Sequence, residues 1–373
     1  MVQRILNQKI LENLALNKTI ILLGARQVGK TTLLSELIKN KKDVLIFNGD
    51  EPDVRELLSH VTSVQLKNLF GKARTVVIDE AQLIPEIGFT LKLIHDHLKN
   101  VQLFVSGSSS LDIANRINEP LTGRKLEYFL YPLSFREMVN HHGLIMEKRT
   151  LPTRLIYGYY PEIVLSPGNE IILLKNLAGS YLFKDILSFG LIKKPVILDK
   201  LLKALALQIG SEISYFELSQ MVGADKETVE RYIDLLEKAF IIFRLNAFSR
   251  NVRNEIKKGK KIYFYDNGIR NAIIGNYQPF ELRTDKGALW ENFIVGERVK
   301  FLSYNNFYGH YYFWRTTQQQ EIDFIEEMDG KIHAYEFKLK PVKRVRFPLT
   351  FQKTYPVEKM EVISMANMEK FVG

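Results

Sequence analysis

Cysteine is missing from all 373 residues, which excludes disulfides and thiolate-ligated zinc and fits a reducing compartment. Long apolar runs are missing too. One of the longest, residues 19–23, is far too short to cross a bilayer, and Met1-Val2-Gln3-Arg4 opens no secretory signal pattern. A cytoplasmic protein with no membrane partner is expected. Acid is scarce relative to base, with 42 Asp and Glu against 52 Lys and Arg, so nucleic acid is an expected class of partner. What is present is otherwise ordinary. Hydrophobic residues make up 46% and charged residues 25%, which argues against disorder, and the length predicts two or three domains.

The surplus of positive charge is concentrated in two stretches. Residues 244–261 hold Arg244, Arg250, Arg253, Lys257, Lys258, Lys260 and Lys261 against the single acid Glu255. Residues 338–353 hold Lys338, Lys340, Lys343, Arg344, Arg346 and Lys353 with no acid. Solvated surface segments and DNA-backbone contacts are both open readings of such runs.

Residues 20–23 form a short aliphatic run bounded by Gly24, which reads as a buried strand, and residues 31–39 place Leu33, Leu34, Leu37 and Ile38 at helical spacing. Between them stand Gly24-Ala25-Arg26-Gln27-Val28-Gly29-Lys30-Thr31, the strand–glycine loop–helix context of a phosphate-binding loop. Gly24 and Gly29 let successive backbone N–H groups approach phosphate oxygens, and the helix N-terminus adds its free donors. Lys30 is placed to reach the terminal phosphates of ATP, and the Thr31 hydroxyl to ligate magnesium.

A second apolar strand, Thr75-Val76-Val77-Ile78, ends in Asp79-Glu80. Asp79 is expected to hold magnesium through water, and Glu80 to orient and deprotonate the attacking water. A third run, residues 101–105, ends in Ser106-Gly107-Ser108-Ser109-Ser110. In a parallel sheet that end lies beside the nucleotide, where Ser106 could sense the γ-phosphate or simply turn the chain. Arg116 and Arg124 are candidates for a charge-stabilising arginine, supplied within the chain or to a neighbour.

The set Gly-Ala-Arg-Gln-Val-Gly-Lys-Thr-Thr (ending at Thr32), Val-Ile-Asp-Glu-Ala-Gln and Ser-Gly-Ser-Ser-Ser resembles a group of prokaryotic AAA+ ATPases. Gly123-Arg124, Tyr131-Pro132-Leu133-Ser134-Phe135-Arg136-Glu137 and Tyr157-Gly158-Tyr159-Tyr160-Pro161-Glu162 agree with it. The resemblance covers nearly the whole chain. It implies a winged-helix segment and a C-terminal domain similar to the PD-(D/E)XK nucleases. Serine stands where the wider AAA+ pattern has a sensor asparagine, which predicts slow hydrolysis.

The middle of the chain fits that implication. Periodic apolar positions over residues 197–209, a short helix over 214–221 ended by Gly223, and a third helix capped by Asp225 precede two strands, 240–245 and 261–265. The outer face of the third helix carries Lys226, Glu227, Glu230, Arg231, Asp234, Glu237 and Lys238. Four acids among seven charges suit a phosphate-lined groove poorly. The basic segment between the two strands is the better candidate for DNA contact, and a structural or protein-docking role is equally open.

Residues 311–315, 321–326 and 332–339 read as strands, with Asp329-Gly330 as a hairpin turn between the last two. That turn sets Met328 opposite Lys331, and counting back sets Asp323 opposite Glu336 and Glu321 opposite Lys338, these last four on one face. Ile322, Phe324, Tyr335 and Phe337 are expected on the other face. Facing carboxylates about 5 Å apart require a cation, which Lys338 and a divalent metal could supply. By resemblance, Asp323 and Glu336 hold magnesium, Lys338 positions or activates water, and the family's helix acid maps to Glu291.

The fold expected is therefore α/β: a P-loop AAA+ parallel-sheet core over residues 1–190, a winged helix over 195–275, and a small nuclease-like α/β domain over 285–373. The function expected is a magnesium-dependent ATPase whose nucleotide state controls DNA binding or processing through segments 244–261 and 338–353. The alternative is a nucleotide-gated binding protein with a catalytically inactive nuclease-like fold. Homo-oligomerisation stays open.

Overall fold

Thr19–Leu23 (β1) and Thr75–Asp79 (β3) are buried at every position. A continuous apolar strand of this kind has no solvent face and is stable only between helices in a parallel sheet. In the computed structural model, which describes residues 1–108, 121–181, 192, 194–249, 259–342 and 347–373, that is what forms. With Val44–Asn48 (β2), Gln102–Gly107 (β4) and Lys125–Phe129 (β5) they make a five-stranded sheet of order β2-β3-β4-β1-β5, parallel throughout. Ile20, Ile21 and Leu22 are fully buried, worth about 1.5–3 kcal/mol each in removed apolar surface. Because β4 lies between β3 and β1, the carboxyl ends of these three strands are adjacent. That edge is where open α/β sheets place ligands.

The chain divides into two compact units, residues 1–133 with 238–240, and residues 134–237 with 241–373. The first sheet thus closes near Leu133, well before the expected boundary at 190. The reason is chemical. Glu297, on the long helix Lys286–Tyr304, accepts a 2.7 Å bond from the Phe135 amide. Asp266 accepts from the Tyr159 amide at 2.6 Å, and Asn271 donates to the carbonyls of Leu155 and Ile156 at 3.3 and 2.8 Å. These buried side chains satisfy the start of the helix Phe135–His142 and the carboxyl end of the helix Leu144–Tyr157, so residues 134–181 pack into the second unit.

The helices Pro195–Leu207, Tyr215–Val222 and Lys226–Lys238 are accompanied by Glu212–Ile213 (β6), after the first of them, and by Ile242–Asn246 (β7) and Lys260–Phe264 (β8), after the third, which form a sheet of order β6-β8-β7. Asp225 caps the third helix as expected, accepting from the Thr228 amide at 2.7 Å.

The last sheet has order β12-β11-β10-β9, from His310–Arg315 (β9), Glu321–Met328 (β10), Lys331–Phe337 (β11) and Val357–Ile363 (β12). Asp329 and Gly330 turn at φ 54° and 77°, the backbone a two-residue hairpin needs. Met328 accordingly faces Lys331. The pairing stops at Phe324–Tyr335, one pair short of Asp323 and Glu336. The physical cause is a bulge between Ile322 and Ile325 against β9, which reverses the alternation of side chains. Ile322 therefore packs with Ile325, Ala334 and Phe351, not with Phe324 as the unbroken pattern predicted. Phe324 and Phe337 remain together, with ring centroids 6.3 Å apart. Among the described residues, no helix is long and apolar enough to cross a membrane.

Candidate functional site

The loop after β1 curls tightly enough that a Cβ on Gly24 would lie 2.1 Å from the Leu130 carbonyl oxygen. No other residue fits there. Val28 is fully buried, and Gln27 adopts φ 60°, so Gly24, Ala25, Arg26, Gln27, Val28 and Gly29 form one compact turn ahead of the helix Lys30–Ile38. The Lys30 ammonium lies inside it, donating to the carbonyls of Gly24 at 3.0 Å and Ala25 at 2.9 Å. Thr31 and Thr32 occupy the exposed first turn of the helix.

Asp79, at the end of β3, accepts a 2.7 Å bond at Oδ2 from the Thr31 hydroxyl. The expected pair of hard oxygen donors is brought together, and its chemistry suits magnesium. Ser106, at the end of β4, is fully buried and donates to Asp79 Oδ1. It meets the site through that carboxylate, and its hydroxyl also accepts from the Glu80 amide at 3.3 Å. Glu80 turns out of the strand at φ 47°.

Three contributors escaped the sequence reading. Gln82 donates to Glu80 Oε2 at 2.5 Å and to the Ser108 hydroxyl at 3.0 Å, fixing the carboxylate's direction. Gly49 leaves room for the Glu80 carbonyl, which would stand 2.4 Å from any added Cβ. Arg4, only 6% exposed, donates to the Val28 carbonyl at 2.7 Å and the Tyr131 carbonyl at 2.6 Å, bracing the loop from behind. Gln82 belongs to the Asp-Glu-Ala-Gln string and was within reach of inspection. Arg4 carried no local signal, because its partners lie 24 and 127 residues away.

Arg124 is placed elsewhere, which corrects the expectation that it completes the nucleotide site of its own chain. Its carbonyl accepts from the Thr19 amide at the amino end of β1, the end remote from the loop, and its guanidinium bonds Asp96 at 2.8 Å. Four residues of parallel strand, about 13 Å, separate the two ends. Arg116, Ser109 and Ser110 lie outside the described residues.

In the second unit, Glu291, Glu321, Asp323, Glu336 and Lys338 do form a neighbourhood, joined by a residue not anticipated there. Lys261 of β8 has a side chain 3% exposed, and its ammonium stands 2.6 Å from Glu321 and 3.2 Å from Glu291. Tyr263 donates to Glu291 at 2.7 Å. Asp323, freed from the ladder by the bulge, accepts from the Phe337 amide at 2.7 Å. Lys338 pairs with Glu336 at 2.7 Å, not with Glu321, because the bulge shifts Glu321 toward β8. Burial, with the charges of Glu291 and Glu336, raises the Asp323 carboxyl to about 7. Burial works to lower the Lys261 ammonium, but Glu291 and Glu321 outweigh it and hold it above the ordinary value.

The basic segments are largely spoken for where they are described. Arg244 bonds Asp234 at 2.7 Å and also Glu237, so it neutralises two acids of the helix Lys226–Lys238. Lys260 sits 5.3 Å over the Tyr215 ring. Arg250, Arg253, Lys257 and Lys258 lie outside the described residues, as do Lys343, Arg344 and Arg346. Lys340 and Lys353 are exposed.

Comparison with known proteins agrees with the geometry of the first unit. An AAA domain family matches residues 16–139. Two domains of unknown function, DUF8612 and DUF4143, match residues 148–279 and 286–370. An uncharacterized protein of Mycobacterium tuberculosis is 26% identical, covering 86% of this chain and 70% of its own. Another, from Methanocaldococcus jannaschii, is 24% identical, covering 99% of this chain and 89% of its own. Among solved structures, a Walker-type ATPase of Pyrococcus abyssi superposes over 74% of this chain and 96% of its own, with TM-score 0.52 and 15% identity. At that identity the likeness carries the fold alone. The first unit has the AAA, P-loop ATPase fold, and a further α/β unit follows it.

Proposed function

We propose that this chain is a magnesium-dependent ATPase whose nucleotide state controls the engagement of DNA by a winged-helix segment and a nuclease-like C-terminal domain. The observation that carries the first half is the 2.7 Å contact of Thr31 with Asp79 beside the Lys30 loop. A hydroxyl and a carboxylate from separate elements, meeting at the carboxyl edge of the sheet, are the oxygens that would hold magnesium. Once bound with ATP, that ion would neutralise charge on the phosphates. Lys30 exchanges its loop carbonyls for phosphate oxygens, the loop amides cradle the rest, and Glu80 orients and accepts a proton from the attacking water. Ser106 fixes Asp79, and Gln82 fixes Glu80.

The DNA half is supported by the net charge of +10, by the helix–strand–helix–helix–strand–strand order over residues 195–264, and by the Asp323, Glu336 and Lys338 grouping. A second reading, in which the C-terminal fold binds without cutting, is favoured by the position of Lys261.

Phosphate release from ATP by the parent and by Lys30→Ala tests the ATPase. The parent is expected to turn over and the variant to lose turnover; equal rates would remove the proposal. Plasmid cutting with magnesium or manganese, with Asp323→Ala as control, separates the two C-terminal readings.

A further inference from the structure

We propose that Lys261 is the resident cation of the C-terminal carboxylate cluster, standing in the place of a divalent metal, so that the domain binds without metal-dependent cleavage. The inference rests on reading Glu291, Asp323, Glu336 and Lys338 as a nuclease-like constellation, and it deepens the second reading of that site. A magnesium centre needs several oxygens converging on one point with vacant lone pairs. Here each carboxylate already has an internal donor. Glu291 accepts from Tyr263 and Lys261, Glu321 from Lys261, Asp323 from the Phe337 amide, and Glu336 from Lys338. Among the described residues, no three His, Asp or Glu side chains are grouped to hold a metal ion.

Lys261 is fixed in this position by its backbone. It belongs to the central strand of its sheet, paired with Glu212 on one side and Leu245 on the other. Its stem is buried, and its ammonium lies 5.4 Å from the Phe313 ring. An ammonium with so little access to water is tolerated only when paired. A divalent ion drawing Glu291 and Asp323 to itself would leave Lys261 with Glu321 alone and set two cations side by side. Lys261, Lys338 and Arg315, the last 3.8 Å from Glu321, together offset most of the charge of the four carboxylates. The cluster is thus largely neutralised without metal.

The test uses the full chain carrying Asp79→Asn, which removes the metal ligand of the ATP site. It is titrated with Mn2+ alone, without nucleotide, and free Mn2+ is followed by electron paramagnetic resonance. With Lys261 intact, no site tighter than about 1 mM that depends on Asp323 is expected. Adding Lys261→Met should create one site at least about tenfold tighter, lost again on adding Asp323→Asn, whereas Lys261→Arg should stay silent. Mn2+ binding in the Lys261 chain that Asp323→Asn abolishes would overturn the proposal, and this comparison needs no Lys261 variant to fold. A folded Lys261→Met chain that gains no site would overturn it equally. Neither arm involves ATP turnover or DNA, so failure of the proposed ATPase or of DNA engagement is read separately.

Discussion

Glu80 and Arg4 serve the proposed nucleotide site by different routes, and their substitutions should separate cleanly. Glu80 is held by Gln82 at 2.5 Å and turned from the strand by its left-handed backbone. Glu80→Gln keeps the shape and removes the proposed base, so ATP binding should persist while turnover falls by roughly 10²–10⁴-fold, the usual contribution of a positioned general base. Unchanged turnover in a phosphate-release assay would exclude Glu80 from that role. Arg4→Met instead removes the buried donor that Arg4 offers to the Val28 and Tyr131 carbonyls, at a cost of about 1–3 kcal/mol per group. The loop it braces should loosen, raising the Kd for ATP about tenfold in a fluorescent-nucleotide titration, with bound ATP still hydrolysed. The sequence made Glu80 legible because it ends an apolar strand. It gave no sign of Arg4, whose role exists only through contacts made by folding.

At the scale of elements, the helix Lys286–Tyr304 carries Glu291, Glu297 and Arg298 and so organises much of the second unit. At its N-cap stands Asp285, which accepts from Arg270 at 2.6 Å and Arg283 at 2.7 Å. Burial works to raise the Asp285 carboxyl, but the two guanidinium groups outweigh it and bring it down to about 2. A depressed folded-state pKa contributes stability that is full above the ordinary aspartate value and is lost as pH falls through about 2. Asp285→Asn should therefore destabilise the second unit by about 2 kcal/mol at neutral pH, with the difference narrowing between about pH 4 and 2. Both tryptophans, Trp290 and Trp314, lie in that unit, so urea unfolding followed by tryptophan fluorescence reads it directly. A difference that stays constant down to pH 2 would dissociate Asp285 from the effect. The hairpin of β10 and β11 shows how far local rules reach. Asp329-Gly330 determined its register, but the bulge between Ile322 and Ile325 arises from pairing with β9, and no turn signal announces it.

For the whole molecule, the basic surplus sets the prediction. Arg244 and Lys261, counted as free positive charge in the sequence, are consumed by Asp234, Glu237, Glu291 and Glu321. Fewer cations of the two basic runs remain for phosphate than those runs suggest, so the salt dependence of the proposed DNA binding should be shallower than they imply. The logarithm of the binding constant should still fall linearly with the logarithm of salt, by roughly 0.9 for each phosphate neutralised. Binding of a duplex that is indifferent to salt would eliminate a phosphate-contacting surface. Binding that is identical with and without ATP would eliminate nucleotide control.

The sequence by itself determined the phosphate loop, the Asp79-Glu80 strand end, the parallel sheet and the turn between β10 and β11. Each rests on residues adjacent in the chain, where spacing and glycine placement carry the physics. Tertiary structure alone decided that Arg124 sits at the far end of its strand, that residues 134–181 join the second unit, and that Lys261 closes the carboxylate cluster. Those outcomes depend on charges and amides brought together from distant positions. A buried ammonium among carboxylates looks, in sequence, like one more lysine in a basic run.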